Sequence, residues 1–187
     1  MSGGASRLDR GRTVLLVVDL QQKLVPAIAD RDVVVRNSLL LLRLARVLEL
    51  PVVLTTQYAA GLGPTLPEVL AEAPGVVPLD KVSFGCFGDA SFLSRLRSFA
   101  GRDQLLVAGI ESHICVAQTV IGALEAGYQV HVAGDAVGSR TGANREVGLA
   151  RMERAGALLS SAEMASYELL ARSDSAAFKA MLPHFKG

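Results

Sequence analysis

The sequence has no tryptophan, only two cysteines, and aromatic residues at 5% of its 187 positions. Two cysteines do not make a disulfide framework for a chain of this size, although Cys86 and Cys115 could pair in principle. No apolar run reaches the ~18 residues of a membrane span, and the polar segment before Thr13 lacks the apolar core of a signal peptide. These absences predict a reduced, cytoplasmic protein with a loose tail over residues 1–12.

Charge of one sign is lacking too. The chain carries 19 Lys and Arg against 18 Asp and Glu, giving a net charge of +1, and the basic residues are scattered. Nucleic-acid binding needs a concentrated basic surface, so neither nucleic acid nor a membrane is expected as a partner. Half of the residues are hydrophobic, which predicts one globular domain over residues 1–187 with a sizeable core.

Six short apolar runs, mostly β-branched and without polar alternation, predict strands buried on both faces of a parallel sheet. They lie at 13–18, 51–56, 75–79, 104–109, 129–134 and 156–161. Helical segments are predicted at 33–50, 89–100, 115–126, 143–155 and 162–182, the last broken near Ser173. The alternation predicts a three-layer α/β/α fold, and a Rossmann-like strand order of 3-2-1-4-5-6 is expected.

The first predicted helix, 33–50, has apolar residues on more than one face. Either a subunit interface or a second helix would cover the extra face, and the sequence leaves both open. The longest connections are predicted at 57–73 and 80–89, where Gly, Pro and aromatic residues are frequent.

Three polar residues follow strand ends, where ligands bind in open parallel sheets. Asp19 directly follows the first strand, where it is either a helix N-cap or a functional carboxylate. Lys81 follows the third strand, where its side chain is either solvated or functional. Cys115 begins a predicted helix, where unpaired N–H groups and the helix dipole lower a thiol pKa; a buried structural cysteine is the alternative.

The expected strand order makes the first and fourth strands neighbours, so Asp19 and Cys115 would face one crevice that Lys81 closes from the third strand. A carboxylate can take a thiol proton, and a lysine can keep that carboxylate charged. With backbone N–H groups for an oxyanion, these residues would form an acyl-transfer site.

The motifs "VVDLQ", "DKVSF" and "GIESHICV" give the chain a resemblance to the isochorismatase-like cysteine hydrolases, a superfamily that includes nicotinamidases and other amidohydrolases. "TTQYAAGLGPTLPE" and "DAVGSRTGANREVGLARMERAGALLSSAE" are similar to the isochorismatase domain-containing subgroup. The resemblance implies that Cys115 is the nucleophile, Asp19 the general base and Lys81 the charge that orients Asp19. It also implies a cis Ile110–Glu111 peptide bond and oxyanion donors in the backbone N–H groups of Glu111 and Cys115.

Departures from the family patterns narrow the expected chemistry. Metal-holding nicotinamidases carry an Asp and paired histidines in the loop after the second strand, which here reads "QYAAGLGPT". His113, His131 and His184 are scattered, so no metal and no other cofactor is expected. True isochorismatases generally lack the cysteine. The sequence therefore favours metal-independent hydrolysis of a small amide-like C–N bond through an acyl-enzyme.

The long loops supply the expected substrate-binding residues. Arg140 could recognise a carboxylate through its guanidinium fork, or it could pair with Asp135. Cys86, in a loop expected to be exposed, is a candidate second reactive thiol. The candidate pocket walls are Gln22, Gln57, Tyr58, Phe84, Phe87, Ser139 and Arg140.

Two other functions are compatible with this sequence. A catalytically weak binding or scaffolding protein of the same fold is the main alternative, motivated by the apolar first helix. A dinucleotide-binding enzyme is less favoured, because no G-x-G-x-x-G follows the first strand. Members of the resembled family are commonly dimers or larger, so a homo-oligomer acting on a small-molecule substrate is expected.

Overall fold

A six-stranded, all-parallel sheet organises the molecule in a computed structural model that describes residues 7–185. Its order is β3-β2-β1-β4-β5-β6, which confirms the predicted fold class and strand order. The strands are β1 Thr13–Val18, β2 Val52–Gln57, β3 Leu79–Lys81, β4 Gln104–Ile110, β5 Gln129–Gly138 and β6 Leu158–Ser160.

Eight α-helices connect and flank the strands within the described residues. They are α1 Arg31–Leu48, α2 Ala59–Leu62, α3 Pro67–Glu72, α4 Ala90–Arg97, α5 Ala117–Glu125, α6 Gly142–Arg154, α7 Ala162–Leu170 and α8 Ala176–Met181. In this described part of the chain, no helix is both long enough and apolar enough to cross a membrane.

Two regions differ from the predicted elements. The connection 57–73 was expected to be a loop, yet it contains α2 and α3, and Pro67 begins α3 because a proline suits the first helical turn. The third strand was expected at 75–79, but β3 starts only at Leu79. Pro78 has no N–H for the ladder, so the strand begins after it.

The strands are apolar because helices cover both faces of the sheet. In β1, Leu15 and Val17 face the cluster formed with α1, α7 and α8. Val14, Leu16 and Val18 face the other cluster, formed with α4, α5 and α6. Each strand residue is therefore buried whichever way it points, and polar alternation is absent.

The extra apolar surface of α1 is covered by other helices. Helices α3, α7 and α8 pack on α1 in addition to the sheet. The sequence left open whether a subunit interface or a second helix covers this surface. Helices of the chain itself cover it.

The segment before β1 is partly ordered, which corrects the expectation of a loose tail over residues 1–12. Leu8 is buried in the core, and its N–H donates to Glu168 Oε2 at 2.9 Å. Arg12 forms an ion pair with Asp103 at 2.7 Å. The buried Leu8 side chain and these two contacts anchor residues 7–12, while residues 1–6 lie outside the described residues.

Strands β1 and β4 approach closely just before the switch point of the sheet. Val18 lies in register with Gly109, whose φ is +115°. A Cβ at Gly109 would overlap the backbone carbonyl of Val18. Only glycine fits here, and this approach sets the position of the residue that follows Val18.

Candidate active site

Asp19 leaves the end of β1 with its backbone in the left-handed region, at φ +51°. Its N–H donates to the Thr55 carbonyl at 3.2 Å, and its side chain is fully buried. The first α-helix begins only at Arg31, and the carboxylate accepts hydrogen bonds from Lys81 and Thr55 side chains. Asp19 therefore holds a side-chain network together and does not act as a helix cap.

Lys81 at the end of β3 forms a buried ion pair with Asp19. Its Nζ lies 2.7 Å from Asp19 Oδ2, and the exposed fractions of the two side chains are 2% and 0%. Lys81 Nζ also donates to Gln57 Oε1 at 2.8 Å. A buried pair persists only where geometry and further hydrogen bonds offset the loss of hydration, and both are present here. Lys81 is therefore not a solvated lysine.

A pair of glutamines, Gln57 and Gln21, fixes the neighbourhood of the ion pair. Gln57 Nε2 donates to the Val82 carbonyl at 2.9 Å, which leaves Gln57 Oε1 aimed at Lys81. Gln21, which is fully buried, accepts the Gln57 N–H at 2.7 Å and donates to the Gly63 carbonyl at 2.7 Å. The amide groups of Gln57 are therefore engaged within the protein.

Two residues of this network were not found from the sequence: Gln21 and Thr55. Thr55 Oγ1 donates to Asp19 Oδ1 at 2.7 Å. A threonine inside an apolar strand is an ordinary β-forming residue, so the sequence does not reveal the contact of Thr55 with Asp19. Gln21 could have been found from the sequence, since a polar residue two positions after Asp19 lies at the same edge of the sheet.

Cys115 lies in a π-helical turn, Ser112–Val116, between β4 and α5, not at the start of the α-helix that was predicted at 115–126. Its side chain is 7% exposed, and Sγ is 4.0 Å from Gln57 Oε1. The N–H groups of Ile114 and Val116 both donate to the Glu111 carbonyl at 3.1 Å. Such π turns recur at functional sites, where they re-aim a side chain.

Helix α6 supports this turn from outside. A Cβ on Gly148 would lie 2.8 Å from the backbone of Ser112 and 2.9 Å from the N–H nitrogen of His113. The helix backbone therefore packs directly on the turn that carries Cys115, and a side chain at Gly148 would displace it.

The Cys115 thiol is not activated at rest. Its pKa is raised to about 12, first by burial and then by the negative charge of Asp19, while the charge of Lys81 opposes them. The expected lowering of this pKa is therefore wrong, because burial and a nearby carboxylate outweigh the start of a helix. A carboxylate next to a protonated thiol can accept the thiol proton.

Cys86 is fully buried, which corrects its expected exposure. Its N–H donates to Thr119 Oγ1 at 3.0 Å, and burial raises its pKa to about 11. Both cysteines are free thiols. Because Cys86 is shielded from solvent and protonated at neutral pH, it does not meet the conditions for a second reactive thiol.

The Ile110–Glu111 peptide bond is cis. The Glu111 carboxylate, Oε2, accepts from the N–H and Nε of Arg140, each at 3.1 Å. Asp135 instead accepts the N–H of Ala162, so Arg140 pairs with Glu111 and not with Asp135. The Arg140 side chain remains 58% exposed at the same edge of the sheet.

The other expected pocket residues lie in different surroundings. Tyr58 and Phe84 are each 55% exposed. Gln22 instead lines a separate groove of about 550 Å³ along α1. Phe87 is partly buried and packs edge-on against Phe92 and Tyr128, so it lies against the core. The remaining residue, Ser139, is buried, with Oγ 3.0 Å from His113 Nδ1.

Across residues 7–185, no group of three or more His, Cys, Asp and Glu side chains is close enough to hold a metal ion. The local chemistry is that of a buried carboxylate–lysine pair beside a protonated thiol, at the switch point of a parallel sheet. A thiol beside a base is the kind of arrangement that can activate a nucleophile.

Comparison with known proteins identifies the family. The isochorismatase domain model matches residues 13–164, and the chain belongs to the isochorismatase family of hydrolases. It is 40% identical over 160 residues to isochorismatase domain-containing protein 2 of Danio rerio, covering 86% of this chain and 80% of that protein.

Solved structures agree with this assignment. A structure described as the MAR1 ribonuclease of Caenorhabditis elegans superposes with a TM-score of 0.91 at 32% identity, covering 97% of this chain and 93% of that one. The YcaC gene product of Escherichia coli, described as an octameric hydrolase of unknown specificity, superposes with a TM-score of 0.89 at 29% identity, covering 95% and 90%.

Proposed function

We propose that this protein is a metal-independent cysteine hydrolase that cleaves a small amide-like C–N bond through a covalent acyl-enzyme. The observation that carries the proposal is the buried Lys81–Asp19 pair, at 2.7 Å, beside the Cys115 thiol, whose pKa the charge of Asp19 helps to raise. A thiol with a raised pKa needs a base at the moment of attack, and Asp19 is that base.

The first half-reaction forms a thioester. Cys115 Sγ attacks the carbonyl carbon while its proton passes to Asp19, and an oxyanion develops on the carbonyl oxygen. Asp19 then gives that proton to the leaving nitrogen as the C–N bond breaks, releasing ammonia or an amine. Lys81 keeps Asp19 ionised before the attack and stays protonated throughout.

The second half-reaction consumes water. Asp19 takes a proton from a water molecule, whose oxygen attacks the thioester carbonyl. The C–S bond breaks, the proton returns to Cys115, and a carboxylic acid leaves. The backbone N–H groups of Glu111 and Cys115 are the proposed donors to the oxyanion in both halves, since Cys115 lies on the turn that presents the thiol and Glu111 directly precedes that turn.

Ammonia release from a panel of small primary amides tests this proposal. Cys115→Ala removes the nucleophile, so hydrolysis should fall by at least ~10³-fold. Asp80→Asn is the matched control, because Asp80 is exposed on the same β3 strand as Lys81 and should leave the rate unchanged. Full activity in Cys115→Ala would show that the mechanism is wrong.

The fold removes the main argument for a scaffolding protein. That argument rested on the extra apolar face of α1, and α3, α7 and α8 cover that face. The C. elegans relative is described as a ribonuclease, but a net charge of +1 with scattered basic residues does not favour RNA as a substrate here.

A homo-oligomer is proposed for this chain, supported by the octameric description of the E. coli relative. Sedimentation at micromolar concentration tests it, and a monomer would contradict it. A cytoplasmic location and a single domain over residues 1–187 stay predictions from the sequence.

A further inference from the structure

Asp19 receives two side-chain hydrogen bonds, and the proposed mechanism uses only one of the donors. Lys81 Nζ donates to Oδ2 at 2.7 Å, while Thr55 Oγ1 donates to Oδ1 at 2.7 Å. Thr55 is 1% exposed and Asp19 is fully buried, so water does not compete for this contact. With one donor on each oxygen, the plane of the carboxylate is fixed.

We propose that Thr55 is a positioning residue for the general base. The inference rests on the proposed function, since it needs Asp19 to act as a base. Thr55 touches no reacting atom; it holds Asp19 Oδ1 so that the carboxylate stays ionised and aligned with the thiol.

Strand β2 provides a matched control for this role. Thr56 follows Thr55 and is also buried, at 4% exposed, but its hydroxyl donates at 2.9 Å to Asp80, away from the ion pair. Valine is isosteric with threonine, so Thr55→Val and Thr56→Val each remove one buried hydroxyl from the same strand. Thr55→Ser keeps the hydroxyl and removes only the methyl group.

The experiment is the pre-steady-state acylation of Cys115 by p-nitrophenyl acetate from pH 5 to 9, followed at the isosbestic wavelength of p-nitrophenol. In Thr55→Val the carboxylate loses a donor that favours its charged form, so the acid limb should move up by about one pH unit. That shift is roughly a tenfold loss of rate on that limb. Thr55→Ser should stay within about twofold of wild type, and Thr56→Val should keep the wild-type profile.

The outcomes separate this role from the proposed function. An acid limb in Thr55→Val that matches wild type, or one that moves equally in Thr56→Val, overturns the positioning role and leaves the hydrolase proposal standing. A wild-type protein whose Cys115 is not acylated overturns the hydrolase proposal, and this role with it. Melting temperatures of all four proteins identify any variant that fails to fold, and Thr55→Ser then decides the result.

Discussion

The floor of the candidate site and its proposed rim differ in burial and in hydrogen bonding. On the floor, Asp19, Lys81 and Gln57 are buried, and each side chain has hydrogen-bond partners within 2.9 Å. The residues proposed for the rim, Tyr58 and Phe84, follow the ends of β2 and β3 and are each 55% exposed. The floor is therefore fixed by its hydrogen bonds, whereas the two rim side chains are largely open to solvent.

This difference separates reaction type from substrate choice. Buried charges require their partners in place, so the floor specifies a thiol, a base and a cation. Exposed aromatic side chains can be changed with little effect on folding, so substrate preference can change while the chemistry stays. The predictions below test how independent the two regions are.

The largest effect is expected where the backbone sets the floor. In Gly109→Ala the new Cβ overlaps the Val18 carbonyl, and the residue must also adopt φ +115°. Because backbone atoms cannot move aside without parting β1 from β4, the free energy of unfolding should fall by at least ~4 kcal/mol. Urea unfolding monitored by circular dichroism measures it.

Gly142→Ala is the control for this substitution. A Cβ at Gly142 meets nothing within 4 Å, so this variant should unfold at the wild-type midpoint. If Gly109→Ala were equally stable, the close approach of β1 and β4 would not be what positions Asp19.

Breaking the ion pair should have the next largest effect. Lys81→Met leaves the Asp19 carboxylate fully buried without its cation, which costs about 3–5 kcal/mol of stability. Activity should be lost as well, because Asp19 loses the cation that orients it. Lys23→Met is the comparison, since Lys23 is exposed and its stability change should stay within ~0.5 kcal/mol. An equal cost for both variants would mean that the pair is not a structural requirement.

The elements of the floor could be predicted from the sequence where local patterns decide them. The strand 13–18 was found with its observed bounds, because its apolar run ends abruptly at Asp19. Once the strand order was inferred, the meeting of Asp19 with Lys81 followed, since the carboxyl ends of parallel strands share one edge.

Other features depend on packing between distant segments, which no local pattern reports. Thr55 looks like any strand residue, and its partner Asp19 is 36 positions away. The pKa of Cys115 was expected to fall because the start of a helix is visible in the sequence. Burial and the charge of Asp19, which raise that pKa, exist only in the folded chain.

A smaller effect is expected on the titration of the nucleophile. The negative charge of Asp19 helps to raise the Cys115 pKa to about 12, so Asp19→Asn should let the thiolate form at lower pH than in wild type. Hydrolysis should nevertheless fall, because the base is gone. The pH dependence of Cys115 alkylation by iodoacetamide, read by mass spectrometry, measures the first effect.

Asp80→Asn controls for the loss of one negative charge near the site, and its alkylation profile should match wild type. A profile in Asp19→Asn that moves to higher pH would contradict the assigned role of the Asp19 charge. An unchanged profile would mean that Asp19 and Cys115 do not interact.

The smallest effect on folding is expected at the rim. Phe84→Ala removes a ring that is 55% exposed, so the free energy of unfolding should change by no more than ~0.5 kcal/mol. Phe92→Ala, the matched change at a ring that is 1% exposed, should cost about 3–5 kcal/mol. If Phe84 contacts substrate, its removal raises KM for amides with apolar groups and leaves kcat near wild type, since the floor is unchanged. A cost above ~2 kcal/mol in Phe84→Ala, or a loss of kcat without a change in KM, would show that rim and floor form one unit.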